Sequence, residues 1–563
     1  MSELNYQLLI KNINFDVAID WFKKDCPDDF FPDTICYKDI QENKQEYIEQ
    51  RKHRFLQIDS IASFTDHTPK KNGLLREAIW LHPTHRILYL AALHHLLPKL
   101  DSKLLNCAYS YRHDSTESPD EYPFERRMER WKLFRNDFRE ACLDSDYGDI
   151  LLTDIAYFYD HINISELCNK IRSLLGSTLT ELDECFIGLL CNLLNLWGHD
   201  GYSIPQNYDP SSFLGSLYLH NIDYEMVTKR YRYFRWVDDM RIVAKNKNQA
   251  YKALHDLQNT LARYRLFLAS DKTVIIERDS NEFAALLDVE DDVLISKAED
   301  AITTGYIDNI KPIIEKLLKR FEFHSSGKGD DSKFRAFANR LLDASDFIEL
   351  KSDIYPKIRK LVLPRLRSHP YRTDYWVKLL SVDLDENALG EIEDLLIINP
   401  SVFSWQRFHL WRMLLYSEID VPRKFIDKAK EVIATSISDQ VTSQAILCIG
   451  KFGDNTDREW LFTSQFNSQK SYLLQRTILI AIQELPKEKR ESFYTRAMRT
   501  NSEHKQLIEF LQSIEAPFYG IKKRQVEKGK EVPRKAETKL LRGVGLIKGK
   551  KVRYRLSYSD FDY

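Results

Sequence analysis

The sequence predicts an α+β core followed by an all-α region. Between about residues 61 and 285, strand-like and helical hydrophobic periods alternate; from 286 to 515 apolar residues recur almost wholly at helical spacing. Breakers are scarce, with 18 glycines and 18 prolines in 563 residues, so long flexible linkers and glycine-rich repeats are not expected.

Residues 1–60 read as an N-terminal extension, mixed and acidic, interrupted at Pro27 and Pro32. Residues 61–285 hold every chemical motif described below. In 286–515, helical spacing is clear in Ile310–Leu318, Ala445–Ile449 and Leu473–Ile482. Polar turns such as Gly453–Thr456 and Pro486–Lys489 separate such runs. Helix pairs joined in this way stack into a HEAT-like α-solenoid; no strict period recurs, and an irregular helical bundle is the alternative. Residues 516–563 form a basic tail. Between Lys522 and Arg555, 14 lysines and arginines stand against Glu527, Glu531 and Glu537, while the whole chain is −2. A basic tail on an acidic body fits a polyanionic partner, the alternative being a solvated tail that aids solubility.

Apolar residues make up 43% and charged residues 29%, which excludes disordered, collagen-like and membrane classes. The eight cysteines form no Cys-x-x-Cys pair and are expected to be reduced, mostly buried thiols of a cytoplasmic protein. Met1–Asp20 lacks a signal pattern. The densest apolar stretch, Phe186–Trp197, is broken by Asn192 and Asn195; it is too short for a bilayer and predicts a buried helix. No membrane association is expected.

The chemistry begins at Ile150-Leu-Leu-Thr-Asp154-Ile-Ala-Tyr-Phe-Tyr159, where a buried strand delivers a carboxylate at its end. A second apolar-aromatic run, Tyr231 to Ala244, carries Asp238-Asp239 and predicts a β-hairpin with the pair at its turn. Asp-Asp pairs also occur at 28–29, 291–292 and 330–331, and most such pairs are solvated loops. Asp238-Asp239 differs in its Trp, Val, Ile and Phe surroundings. Carboxylates there keep their charge only against cations. With Asp154 alongside, the three would form a hard oxygen site suited to Mg²⁺.

These segments resemble a reverse transcriptase. The resemblance rests on Asp154-Ile-x-x-Phe-Tyr159, on Pro205-Gln206 with Ser211, Leu214 and Tyr218-Leu219, and on Arg235-x-x-Asp238-Asp239-x-x-Ile242. It extends to Tyr264–Thr273 with its Lys272-Thr273 ending, and to the fingers-like Pro69-Lys-Lys71-Asn-Gly73-Leu-Leu-Arg76 and Tyr109-Ser-Tyr111-Arg112. The pieces run in the family's order across about 220 residues, so the resemblance implies a fingers-palm domain over 61–285. The resemblance implies that Asp154 and Asp238 bind two catalytic Mg²⁺ ions, or Mn²⁺, helped by the carbonyl of Ile155, with Asp239 as an orienting carboxylate. It implies that Lys71 and Arg76 pair with the triphosphate and Gln206 contacts the templating region. Tyr159 would be a steric gate selecting deoxynucleotides, and Lys272 the general acid for pyrophosphate.

Two departures stand out: Trp236 replaces the family's Tyr, and Asn207 its Gly. Asn tolerates positive φ, so the loop can keep its shape. No RNase H or Cys/His endonuclease pattern is present, and the helical region makes the chain similar in architecture to bacterial defence-associated reverse transcriptases of the abortive-infection group. That similarity implies antiphage action and DNA synthesis that is RNA-directed or template-independent. The expected partners are dNTPs, a nucleic-acid template or non-coding RNA, further copies of the chain and, as an open alternative, a partner protein. Protein priming is a further expectation, with Tyr554, Tyr558 and Tyr563 of the tail as candidates. A pure terminal transferase and a catalytically silent nucleic-acid-binding scaffold are the alternatives. Other clusters carry less: Gly543–Lys550 fits no phosphate-loop spacing, and His82, His85, His94 and His95 lack ligand partners for zinc. Asp160-His161 is expected to cap the following helix.

Overall fold

The computed structural model describes residues 3–51, 63–115, 122–304, 307–345, 347–416 and 419–519. By its internal contacts the chain forms two units. The first gathers residues up to 68, 75–288 and 435–519; the second gathers 69–74 and 289–434. The tail tyrosines Tyr554, Tyr558 and Tyr563, and the glycine-rich Gly543–Lys550, lie outside the described residues.

In the first unit, α1 (Glu3–Asn12), α2 (Phe15–Asp25), α3 (Lys38–Glu42) and α4 (Lys44–Arg51) precede a hairpin of β1 (Phe64–Pro69) and β2 (Leu75–Trp80). Helices α5 (Pro83–Asp101) and α6 (Arg127–Leu143) follow. His82 starts α5, its Nδ1 accepting from the Thr84 N–H, with Pro83 supplying a pre-set φ at the first helical position. The chain then runs β3 (Asp149–Thr153), β4 (Ile155–Ala156), α7 (Ile164–Leu175), α8 (Glu181–Trp197), α9 (Asp209–Tyr218) and α10 (His220–Thr228). It closes with β5 (Arg232–Trp236), β6 (Asp239–Ala244), α11 (Lys247–Ala262), β7 (Phe267–Leu268) and β8 (Val274–Ile276). As expected, the apolar run to Trp197 is a buried helix, α8, started by a capping box between Thr180 and Asp183. Among the described residues no helix is long and apolar enough to cross a membrane. Asn163, not Asp160 or His161, caps α7; those two sit in a short 3₁₀ turn instead. Asn163 is the residue directly before the helix, which its side-chain oxygen must be to reach the Glu166 N–H.

The central sheet is antiparallel, ordered β5-β6-β3-β8, with a separate β4-β7 ribbon beside it. In β3, Leu151 faces the main core while Ile150 and Leu152 face α6, the period-two alternation of a strand covered on both sides. The main core joins α2, α5, α7, α8 and the sheet.

The helices expected over 286–515 are present among the described residues, yet they divide. Residues 435–519 pack with the first unit, with buried polar contacts between them. Arg476 meets Asp39 at 2.6 Å and Asp33 at 3.1 Å, and Arg51 donates to Gln506 at 3.0 Å. In the second unit successive helices pack on one another, from Glu290–Thr304 through Ile307–Ser325, Asp331–Ser345 and Ile348–Ser368 to Thr373–Leu380. One cysteine expectation changes: Cys168 of α7 and Cys191 of α8 are disulfide-bonded, because that helix pair brings their Cα atoms to 6.5 Å. Cys26, Cys36, Cys107, Cys142, Cys185 and Cys448 are free thiols, buried except for the half-buried Cys36.

Candidate active site

The site forms where β3 ends beside the β5–β6 hairpin. Thr153 pairs with Met240, which brings the next residue, Asp154, level with the hairpin turn. The Asp154 carbonyl accepts from Ala269 N–H at 2.8 Å, and Ile155 pairs with Leu268, so two strands fix the acid's backbone on either side. Trp236 pairs with Asp239, leaving a two-residue turn of Val237 and Asp238. Asp239 is therefore the first residue of β6 rather than a turn residue.

Val237 has φ 52°, a left-handed value rare for a β-branched residue and normally supplied by glycine at the first position of such a turn. Strain of this kind costs on the order of 1–3 kcal/mol and persists where neighbours enforce it. Here the Ser110 hydroxyl accepts from Val237 N–H at 3.0 Å, and Arg235 Nη1 donates to the Val237 carbonyl at 2.9 Å. Arg235 is itself buried and forked onto Asp223 at 2.6 and 2.8 Å. Segment Cys107–Tyr109 runs alongside β5, exchanging backbone bonds with Arg235. The fingers-like segment thus braces the acidic turn, while its Arg112 is forked onto Asp101.

Asp154 and Asp238 lie within each other's electrostatic range. Burial, then the Asp154 charge, pushes the Asp238 carboxyl up to about 7. Burial also raises Asp154, against the opposing Lys272 ammonium, whose Nζ donates to Asp154 Oδ2 at 2.7 Å. Burial alone would lower Lys272, but its hydrogen bond and attraction to Asp154 outweigh it and hold the ammonium above its ordinary range. Arg76, on β2, adds a positive charge felt by both Asp154 and Lys272. Asp239 adds its charge to both acids, while its own carboxylate is gripped by Arg241 at 2.8 and 3.3 Å. Among the described residues no three His, Cys, Asp or Glu side chains converge as metal ligands. The donor set toward the site is two carboxylates. That suits Mg²⁺, which is commonly held by one or two carboxylates with water and phosphate completing its shell.

Tyr159 is buried, its hydroxyl 3.0 Å from Ser212 Oγ, and it feels the Asp238 charge. Asn207 has φ 71°, the positive value expected of it. Gln206 lines a small cavity with Phe30, Phe31, Trp80, Tyr208 and Gln440. Lys71 is an exposed residue of the β1–β2 turn and belongs to the second unit, beside Gly327 and His369. The structure thus brings together Asp154, Ile155, Asp238, Lys272, Tyr159 and Arg76. Motif reading missed Ser110 and Arg241. Arg241 had a signal, since i and i+2 on a strand share a face and an Asp-x-Arg spacing can pair there.

No family model matches the chain, and no curated protein does. Among solved structures it is similar to telomerase from Candida albicans in complex with a fragment of telomeric RNA. Identity is 11% over 84% of this chain and 68% of that one, with a TM-score of 0.28; at that score the likeness carries no weight for fold or function.

Proposed function

We propose that this chain is a DNA polymerase of reverse-transcriptase type, with a fingers-palm core over 61–285 and a HEAT-like helical region over 286–515. The observation that carries the reading is the meeting of Asp154 and Asp238, 84 positions apart in the sequence, in a half-buried cluster of negative charge beside Lys272. Two half-buried carboxylates that repel each other ask for a cation, and the donor set fits Mg²⁺, with Mn²⁺ as a substitute. Asp154, Asp238 and the Ile155 carbonyl would hold it; when bound, it supplies charge stabilisation for phosphoryl transfer.

The residues supply the rest. Arg76, whose charge reaches Asp154 and Lys272, binds the triphosphate of an incoming dNTP. The Tyr159 ring, fixed by Ser212, closes the space a 2′-hydroxyl would take. Lys272 releases Asp154 and gives its Nζ proton to the departing pyrophosphate oxygen. Gln206 contacts the template strand where one is used. The acceptor is a 3′-hydroxyl or a protein hydroxyl, and the template is RNA, including a non-coding RNA, or absent. Action in bacterial antiphage defence, as a homo-oligomer in the cytoplasm, follows from the resemblance in architecture.

A silent nucleic-acid-binding scaffold has one observation in its favour: Lys272 and Arg241 already neutralise Asp154 and Asp239. The test is incorporation of labelled dNTPs with Mg²⁺, with and without prior nuclease digestion. Wild type should make DNA and Asp238→Asn/Asp239→Asn should not. Equal signal from both would refute the polymerase reading. Product that denaturing gels cannot free from protein would identify protein priming.

A further inference from the structure

Asp238 and Asp239 are neighbours in sequence but face different surroundings. Asp239 opens β6, so by strand alternation it shares a face with Arg241 and Val243, the face covered by α6. Trp236 lies directly across from it on β5. Arg241 donates from Nε and Nη2 to both Asp239 oxygens, a forked pair that fixes the carboxylate's direction. The guanidinium is itself fixed. It lies over the rings of Phe134 at 4.6 Å, Phe138 at 5.1 Å and Trp131 at 5.8 Å, all on α6. The Arg241 side chain is 15% exposed and that of Asp239 33%, so the hold rests on the fork and the ring contacts rather than on exclusion of water. A cation stacked on three aromatic faces and forked onto one anion has little freedom to let go.

We propose that Arg241 is a positioning residue that reserves Asp239, keeping its carboxylate on the α6 face and leaving Asp154 and Asp238 as the acidic donors toward a divalent ion. This rests on the metal-site reading above. In a site whose three acids would otherwise compete for one cation, the reservation fixes which two face the substrate phosphates. Asp239 thus acts on the site through its orientation, and the aromatic cage of α6 sets the strength of that hold.

The test uses full-length protein and Mn²⁺ as the probe, following the free-ion paramagnetic resonance signal. Wild type, Asp239→Asn, Arg241→Gln and the double variant are titrated. Arg241→Gln frees Asp239 to join the site and should tighten Mn²⁺ binding by at least about threefold, the lower range of coupling between touching residues. Asp239→Asn sets the baseline without the Asp239 charge, which reaches both Asp154 and Asp238, and the double variant should bind no more tightly than that baseline. No tightening, or the same tightening with Asp239→Asn present, would overturn the proposal, since loss of a positive charge alone would then explain it. If Arg241→Gln does not fold by circular dichroism, Arg241→Lys keeps the charge but not the fork. It should tighten binding less, again only while Asp239 is present; wild-type affinity would count against the reservation. Asp238→Asn is read separately: binding that it leaves intact sinks the metal-site reading, whereas the Arg241–Asp239 cycle is judged by its own comparison.

Discussion

Replacing Asp238 by Asn should make the metal-free protein more stable while silencing it. Burial and the Asp154 charge carry the Asp238 carboxyl from its ordinary 3.8 to about 7. The folded chain therefore holds this proton more tightly than the unfolded chain does. The cost of ionisation is absent below about pH 4, grows between about pH 4 and 7, and is complete above that range. At roughly 1.36 kcal/mol per pH unit, the shift corresponds to about 4 kcal/mol at pH 8. The turn is half-buried, and water reaching it reduces this to about 2 kcal/mol. Urea unfolding in EDTA, followed on the transition of the first unit, should show Asp238→Asn the more stable at pH 8 by about that amount. The gap should shrink by more than half at pH 5. Mg²⁺ should close it at pH 8 by stabilising wild type alone. A variant less stable than wild type at pH 8, or a gap that widens toward pH 5, would refute the reasoning.

Three other substitutions probe different parts of the argument. Arg476→Met strands Asp33 and Asp39 in the interior and should cost the first unit about 3–5 kcal/mol in urea unfolding, most of it recovered by adding Asp33→Asn and Asp39→Asn. Ser110→Ala leaves the Val237 N–H without its acceptor and should lower stability by about 1–2 kcal/mol, with a drop in kcat larger than any change in KM. Tyr159→Ala should raise ribonucleotide incorporation relative to deoxynucleotide by at least about tenfold, whereas Tyr159→Phe, which keeps the ring, should leave the ratio unchanged.

Strand and hairpin at the site were legible because burial on both faces writes itself into sequence: Ile150–Thr153 and Arg232–Ala244 are apolar and aromatic at strand spacing, and both form strands, apart from the turn at Val237-Asp238. Buried helices such as α8 were legible for the same reason. What could not be read is anything set by contacts between distant segments. Residues 445–482 carry the same helical period as 310–318, and nothing local says that one packs with the first unit and the other with the second. That choice depends on Arg476 finding Asp33 and Asp39 more than 430 positions earlier, a separation on which periodicity is silent. The placement of Gln206 in a cavity with Gln440 was hidden for the same reason.

The acidic pair shows how little separates two chemistries. Asp238 and Asp239 have the same side chain and adjacent positions, and sequence reading set both at the turn. The turn ends between them. Asp238 stays in it, without a strand partner, beside Asp154, where burial drives its pKa up. Asp239 starts a strand whose alternation aims it at α6, where Arg241 waits in an aromatic cage. One residue of register would exchange their surroundings, because a one-residue slip moves every side chain to the opposite face. The register is held by the pairing of β6 with both β3 and β5, and the strained φ of Val237 is tolerated within it. Ser110 of the fingers-like segment and Arg235 of β5 hold the N–H and carbonyl of that strained residue, so loss of either contact weakens the turn that separates the two carboxylates.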